Sequence, residues 1–84
     1  MSEIDRVRWH CRRGMLELDL VLSRFMDAVY GALAESDRVA FSKLLEYPDN
    51  DLWDLVSARA EPEDLDVFEI LKQVRAVAPK RAAG

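Results

Sequence analysis

The fold class is decided by residues 15 to 30, MLELDLVLSRFMDAVY. Four leucines alternate with other residues at its start, as they would in a half-buried strand. Further along, apolar residues recur at spacings of three and four with no turn signal: Leu18, Val21, Leu22, Phe25, Met26 and Val29. These spacings, in residues that favour helix over strand, predict one helix from Met15 to Tyr30 with Gly31 near its end.

A shorter helix is predicted before it, from about Glu3 to Arg13. Ser2 followed by Asp5 resembles a capping box with a shorter acid. The helical stripe that follows is formed by Ile4, Val7 and Cys11. Gly14 interrupts the pattern, and a glycine inside a helix costs about 1 kcal/mol relative to alanine. We therefore expect a break or a close backbone approach at Gly14.

Three more helices are predicted downstream. Ser36 is expected to cap the third, which Pro48 stops, and Asp49 or Asn50 is expected to cap the fourth. Pro62 suits the first turn of the fifth. The residues expected to face the core are Ala40, Phe41, Leu44 and Leu45 in the third helix, Leu52, Trp53, Leu55 and Val56 in the fourth, and Leu65, Phe68, Leu71, Val74 and Ala78 in the fifth.

The whole pattern predicts an all-α protein, a small five-helix bundle. The chain has 84 residues, half of them hydrophobic, which suits one core and is too little for two. We expect a single domain over residues 1 to 79 and a disordered tail from Lys80 to Gly84.

The charge is distributed unevenly. Residues 1 to 13 hold four arginines and two acids, a net +2, whereas the rest of the chain holds eight basic and 14 acidic residues, a net −6. Between Glu46 and Glu69 there are nine acids and one base, Arg59. Binding to nucleic acid needs a broad basic face, so we expect a protein partner and no nucleic acid.

Cysteine usage and hydropathy indicate the compartment. Cys11 is the single cysteine, so no internal disulfide can form and a reducing compartment is favoured. No apolar run approaches the roughly 18 residues that span a bilayer. Glu3 and Asp5 stand where a targeting peptide would be basic and poor in acids. We expect a mature cytoplasmic monomer without membrane insertion.

Metal binding is not favoured by the candidate ligands. His10 and Cys11 are adjacent, so on a helix they point about 100° apart and cannot easily share an ion. We expect Cys11 in the core and His10 on the surface. A calcium loop is suggested by Asp49, Asp51 and Asp54, but a tryptophan stands where a third oxygen ligand should be. We expect these acids to cap the fourth helix and to favour its dipole.

Catalysis is not favoured either. Nucleophilic catalysis needs a nucleophile beside a base and a third group that orients the base, and His10 has no evident triad arrangement. A phosphate-binding loop needs several glycines close together, whereas the three glycines of this chain are far apart. We therefore expect no catalytic residues, and no tight binding of a dinucleotide by this chain alone.

Residues 9 to 17, WHCRRGMLE, admit two interpretations. Arg13 and Glu17 are four apart and could pair for about 0.3 to 0.5 kcal/mol, with Gly14 as a simple helix breaker. Alternatively, the missing side chain at Gly14 lets a partner's backbone approach, flanked by one guanidinium and one carboxylate that orient it. From the residues alone both interpretations stay open.

This segment resembles the signature of the SdhE family, also called succinate dehydrogenase assembly factor 2 or the FAD assembly factor. The signature, R-G-x-x-E, matches Arg13-Gly14-Met15-Leu16-Glu17, and its flanks extend the match to W-x-C-R-R-G-M-x-E-L-D over residues 9 to 19. A second block, L-L-E-x-x-D-x-D-L, matches residues 44 to 52. The resemblance covers most of the chain, with the last helix matched loosely.

The resemblance implies a five-helix, chaperone-like factor and not an enzyme. Such a factor binds the flavoprotein subunit of succinate dehydrogenase, and in some bacteria that of fumarate reductase, and promotes its covalent flavinylation. FAD would belong to the partner, so this chain is expected to bind no cofactor stably by itself. The partner-binding residues implied are Arg13, Gly14 and Glu17, with Trp9, His10 and Arg12 as neighbours.

A different class is an alternative. A small helical protein with an arginine-rich first helix could be a DNA-binding regulator or an antitoxin-like protein. The acidic remainder of the surface counts against DNA.

Overall fold

The computed structural model describes residues 2 to 78, and in them it contains five α-helices and a short 3-10 helix. In chain order these are α1 (Glu3–His10), α2 (Leu16–Ala28), the 3-10 helix (Tyr30–Ala32), α3 (Glu35–Leu45), α4 (Asp49–Val56) and α5 (Leu65–Val77). No strand occurs in this part of the chain, so the predicted all-α, five-helix class is confirmed. None of these helices is long and apolar enough to cross a membrane. The predicted tail lies outside the described residues.

The core lies where α2 and α3 meet α5. The ring of Phe25 lies 4.8 Å from that of Phe41, which in turn lies 5.7 Å from that of Tyr30. The stripes predicted for α2 and α3 are confirmed, since every member is buried except Val29, which is half-buried. In α4 the leucines and valine are buried, but Trp53 is half-buried and packs at the edge of the core.

The leucine alternation at the start of α2 reflects two sides of one helix. Leu18 and Leu22 are fully buried, whereas Leu16 and Leu20 are 74% and 55% exposed. Residues two apart point about 200° apart around a helix, and residues four apart only about 40°. The four leucines therefore form two pairs on opposite sides, and the core takes one pair while the other stays at the surface.

The first helix is shorter than predicted. The predicted cap is confirmed, because the hydroxyl of Ser2 accepts a hydrogen bond from the N–H of Asp5 at 3.1 Å. The helix ends at His10 and not at Arg13, because the chain turns before Gly14. Ile4 is 41% exposed, so only Val7 and Cys11 of the predicted stripe reach the core.

The caps predicted for α3 and α4 are wrong. Ala34, and not Ser36, is the N-cap of α3, and Pro48, and not Asp49 or Asn50, is the N-cap of α4. Neither cap bonds through its side chain. Both helices instead place two acids in their first turn, where the helix dipole favours negative charge.

The register predicted for α5 is also partly wrong. Its buried residues are Val67, Ile70, Leu71 and Val74, whereas Leu65 is 77% exposed and Phe68 is half-buried. The predicted stripe used spacings of three, which drift by about 60° per step, so Leu65 and Val74 lie on opposite sides of the helix. The helix begins at Leu65, beyond Pro62, because the Asp64 carboxylate caps it.

Candidate docking surface

Residues 11 to 15, here called the Gly14 turn, join α1 to α2. Gly14 has φ +78°, in the left-handed region that side chains disfavour. A Cβ built on it would meet nothing within 4 Å, so the space beside it is open. The predicted break at Gly14 is therefore confirmed, and its backbone is accessible from outside.

The turn is closed by a carboxylate from α2. Oδ1 of Asp19 accepts a hydrogen bond from the N–H of Arg13 at 2.8 Å, and Oδ2 accepts one from the N–H of Gly14 at 3.2 Å. The N-cap of α2 is Met15, whose side chain makes no capping hydrogen bond. Asp19 thus binds the two backbone donors that precede the helix.

The guanidinium of Arg13 points away from solvent, and its side chain is 13% exposed. Its Nη1 donates to the carbonyl of Tyr47 at 3.0 Å and pairs with the Asp49 carboxylate at 3.1 Å. Its Nη2 donates to the carbonyl of Leu45, and its Nε to that of His10 at 3.0 Å. Arg13 therefore satisfies carbonyls at the C-terminal end of α3 and ties the Gly14 turn to the start of α4.

An open groove of about 780 Å³ lies between α1 and α2, beside this turn. We call it the α1–α2 groove; its walls include Arg8, Trp9, Arg12, Leu16, Asp19 and Leu20. Trp9 is 65% exposed, so with Leu16 and Leu20 it forms an apolar surface that water covers in the free protein. The guanidinium carbon of Arg12 lies 5.9 Å from the centre of the Trp9 ring.

The structure brings all six predicted partner-binding residues to one turn and its flanks. All but Arg13 are exposed: Trp9 and His10 at the end of α1, Arg12 and Gly14 in the Gly14 turn, and Glu17 in the first turn of α2. Arg13 lies beneath them. Its ion pair with Asp49 provides a counter-charge independent of Glu17. That these residues bind a partner stays a prediction.

Cys11 is a core residue, as predicted. Its side chain is 5% exposed, and burial raises the pKa of the thiol from 9.0 to about 12, although the nearby Arg13 charge opposes the shift. A thiol held neutral is a poor nucleophile and a poor metal ligand. Within residues 2 to 78, no cluster of three or more His, Cys, Asp or Glu side chains is placed to bind a metal ion.

Two parts of the surface were missed from the sequence. Leu16 and Leu20 lie four residues apart, as do the buried Leu18 and Leu22, and this spacing could have indicated a second apolar pair on the surface. The partners of the turn, Asp19 and Asp49, lie 6 and 36 positions from Arg13. Such pairings depend on how α2 and α4 pack, and no local pattern indicates them.

The fold and this surface define a small all-helical protein with an exposed apolar and charged surface around a glycine turn. The chain belongs to the Sdh5 family, whose model is described as the flavinator of succinate dehydrogenase and matches residues 5 to 78.

Relatives cover most of the chain. It is 42% identical over 73 residues to the FAD assembly factor SdhE of Pseudomonas aeruginosa, with 87% of each chain covered. It is 39% identical to that of Methylococcus capsulatus, with 98% of this chain and 99% of the relative covered. It is 46% identical to that of Ralstonia nicotianae, with 86% and 80% covered. These names describe assembly factors and not enzymes, in agreement with the sequence-based expectation.

Proposed function

We propose that this chain is an FAD assembly factor that docks on the flavoprotein subunit of succinate dehydrogenase, here called the client, and promotes its covalent flavinylation. We extend the proposal to the flavoprotein subunit of fumarate reductase where that enzyme is present. The factor acts as a cytoplasmic, monomeric chaperone. The observation that supports the proposal most directly is the exposed apolar face beside Gly14 in a chain of this family.

The docking face combines three kinds of contact. Trp9, Leu16 and Leu20 supply apolar area, and burying such area contributes about 25 cal/mol per Å². Gly14 supplies a backbone without a side chain in front of it. Glu17 supplies a carboxylate in the first turn of α2 that can accept a charge-assisted hydrogen bond from the client.

The factor acts by positioning. Covalent attachment takes place on the client, whose own histidine bonds the flavin. Docking holds the client's domains in the geometry where these groups are close, and such proximity replaces an improbable encounter with a favourable one. This role requires a rigid face and no catalytic group on the factor.

FAD stays with the client in this proposal. Gly14 and Gly31 are far apart in sequence, and the third glycine is the last residue, so the chain lacks a glycine-rich phosphate loop. The α1–α2 groove is open to solvent along an exposed apolar face, which suits a protein surface better than an enclosed dinucleotide.

Copurification with the client, followed by in-gel flavin fluorescence after denaturation, tests the proposal. We expect the tagged chain to retain the client and to restore covalent FAD in a strain that lacks the factor. Retention of plasmid DNA at low salt, without the client, would instead support the DNA-binding alternative. The acidic cleft formed by Asp51, Asp54, Glu61, Glu63 and Asp64 disfavours that outcome.

Glu17→Gln tests the face itself. We expect this variant to lose at most about 0.5 kcal/mol of stability and to weaken client binding by about 1.5 to 3 kcal/mol, tenfold or more in Kd. Glu35→Gln is the matched control, because Glu35 is an exposed acid in the first turn of α3. Equal client affinity of the two variants would remove Glu17 from the docking face.

A further inference from the structure

The N–H groups of Arg13 and Gly14 point to the same carboxylate. Both oxygens of Asp19 are used, one for each donor, at 2.8 and 3.2 Å. Asp19 lies one turn into α2, and its own N–H donates to the carbonyl of Met15 at 2.8 Å. The carboxylate thus joins the first turn of α2 to the two residues that precede its N-cap.

The hydrogen bonds to Asp19 offset the conformational entropy that Gly14 loses on folding. Glycine loses more conformational freedom on folding than any other residue, so a left-handed Gly14 needs contacts that fix it. The space around its Cα is open, so packing does not hold it in place. The hydrogen bonds to Asp19 do, and a carboxylate suits two N–H donors because it accepts through both oxygens.

We propose that Asp19 is a positioning residue for client docking: its carboxylate fixes the Gly14 turn, so that the Gly14 backbone and Glu17 meet the client in one orientation. This inference rests on the proposed function. It gives a role to a residue outside the R-G-x-x-E pattern, and that role needs no contact between Asp19 and the client.

Asp19→Asn is the decisive variant. Asparagine keeps one acceptor oxygen, but its other group is an NH₂ donor. That NH₂ group would face one of the two backbone N–H donors, so one hydrogen bond is lost. Asp27→Asn is the matched control. Asp27 is an exposed acid on the same helix; it pairs with Arg8 of α1 at 2.6 Å and not with the Gly14 turn.

Amide hydrogen exchange followed by NMR measures how firmly the hydrogen bonds hold the Gly14 turn, and the client Kd measures docking. In Asp19→Asn we expect the amides of Arg13 and Gly14 to exchange at least tenfold faster and the client Kd to rise at least tenfold. Both quantities should stay within twofold of wild type in Asp27→Asn. The far-UV circular dichroism of both variants should keep its helical form.

Unchanged exchange at both amides would overturn the assignment of these hydrogen bonds. Faster exchange with unchanged client affinity would overturn the positioning role. If wild type itself does not bind the client, the proposed function fails, and with it the part of the inference that rests on docking.

Asp19→Glu separates positioning from direct contact and also serves if the asparagine variant unfolds. It keeps both acceptor oxygens, so we expect slow exchange at the two amides to return in part and client affinity to return with it. Wild-type exchange without client binding would mean that the client reads the Asp19 side chain directly, and would overturn the proposal.

Discussion

Replacing Gly14 by alanine tests two things: whether the left-handed turn affects stability, and whether the open surface beside it affects client binding. The left-handed region costs a residue with a Cβ about 1 to 2 kcal/mol, and Gly14 has φ +78°. Apart from Gly14 itself and its chain neighbours, no atom lies within 4 Å of the added Cβ, so steric overlap with the rest of the protein adds nothing to this cost. Alanine also restricts the unfolded chain, which offsets about 0.4 to 1 kcal/mol. A net loss near 1 kcal/mol follows, or roughly 4 to 8 °C in Tm.

Two further variants make the test specific. Gly31→Ala is the matched control, because Gly31 also has open space around it but no positive φ. It should melt at or above the wild-type temperature. Gly14→Asn adds a larger side chain but tolerates the left-handed region better than alanine, so it should recover part of the lost stability.

Thermal melts and client affinity, measured on the same preparations, decide between the outcomes. Gly14→Ala should be less stable than wild type, and both Gly14 variants should bind the client at least tenfold more weakly, because each places a side chain where the client's backbone approaches. A wild-type Tm for Gly14→Ala would contradict the left-handed turn. Full client affinity of the asparagine variant would refute close backbone approach.

Three other outcomes are expected. Trp53→Ala should cost about 2 to 4 kcal/mol in urea unfolding because Trp53 packs at the core edge, whereas Trp9→Ala, at a 65% exposed site, should melt like wild type and lose client affinity; the reverse order would contradict the assignment. Arg13→Lys should lower the unfolding free energy by about 2 to 4 kcal/mol, since lysine lacks the planar fork that bonds the carbonyls of Leu45 and Tyr47. Arg12→Lys, at an exposed site, should lower it by less than about 0.5 kcal/mol. Equal stability of the two variants would contradict the buried role of Arg13. The raised pKa of the Cys11 thiol contributes stability that is fully present below pH 9.0 and is lost as pH rises towards about 12. The difference in unfolding free energy between wild type and Cys11→Ala should therefore shrink over that window by up to about 1.4 kcal/mol per pH unit. A constant difference would contradict the pKa shift.

The sequence predicted the helices better than their ends. Apolar spacing located all five, because burial of one face determines whether a helix forms. Ends depend on which group binds the first N–H donors, and Ser36 lost that position to Ala34 because two acids favour the earlier start. In α5, spacings of three selected Leu65, which faces solvent, since that period drifts around the helix.

The sequence predicted which residues share one surface, but not how the Gly14 turn is held in place. The sequence pattern brought Trp9, Gly14 and Glu17 together correctly because they lie within nine residues of each other. It treated Arg13 as an outward-facing guanidinium, since an arginine beside a glycine gives no sign of its partners. Its distant partners Leu45, Tyr47 and Asp49 lie between the end of α3 and the start of α4, so the burial of Arg13 depends on tertiary packing.

The burial of Arg13 and the hydrogen bonds of Asp19 both reduce the conformational entropy that the Gly14 turn would lose in the proposed docking. Five residues, 11 to 15, separate α1 from α2. Ordering them at docking, at about 1 kcal/mol each, would weaken binding by about 5 kcal/mol, more than a thousandfold in Kd. Because Asp19 fixes their backbone and Arg13 anchors them to α3 and α4, this ordering takes place on folding instead. Under the proposed function, residues that do not face the client are therefore as necessary for docking as those that do, and a loss of function at Arg13 would not by itself indicate a contact.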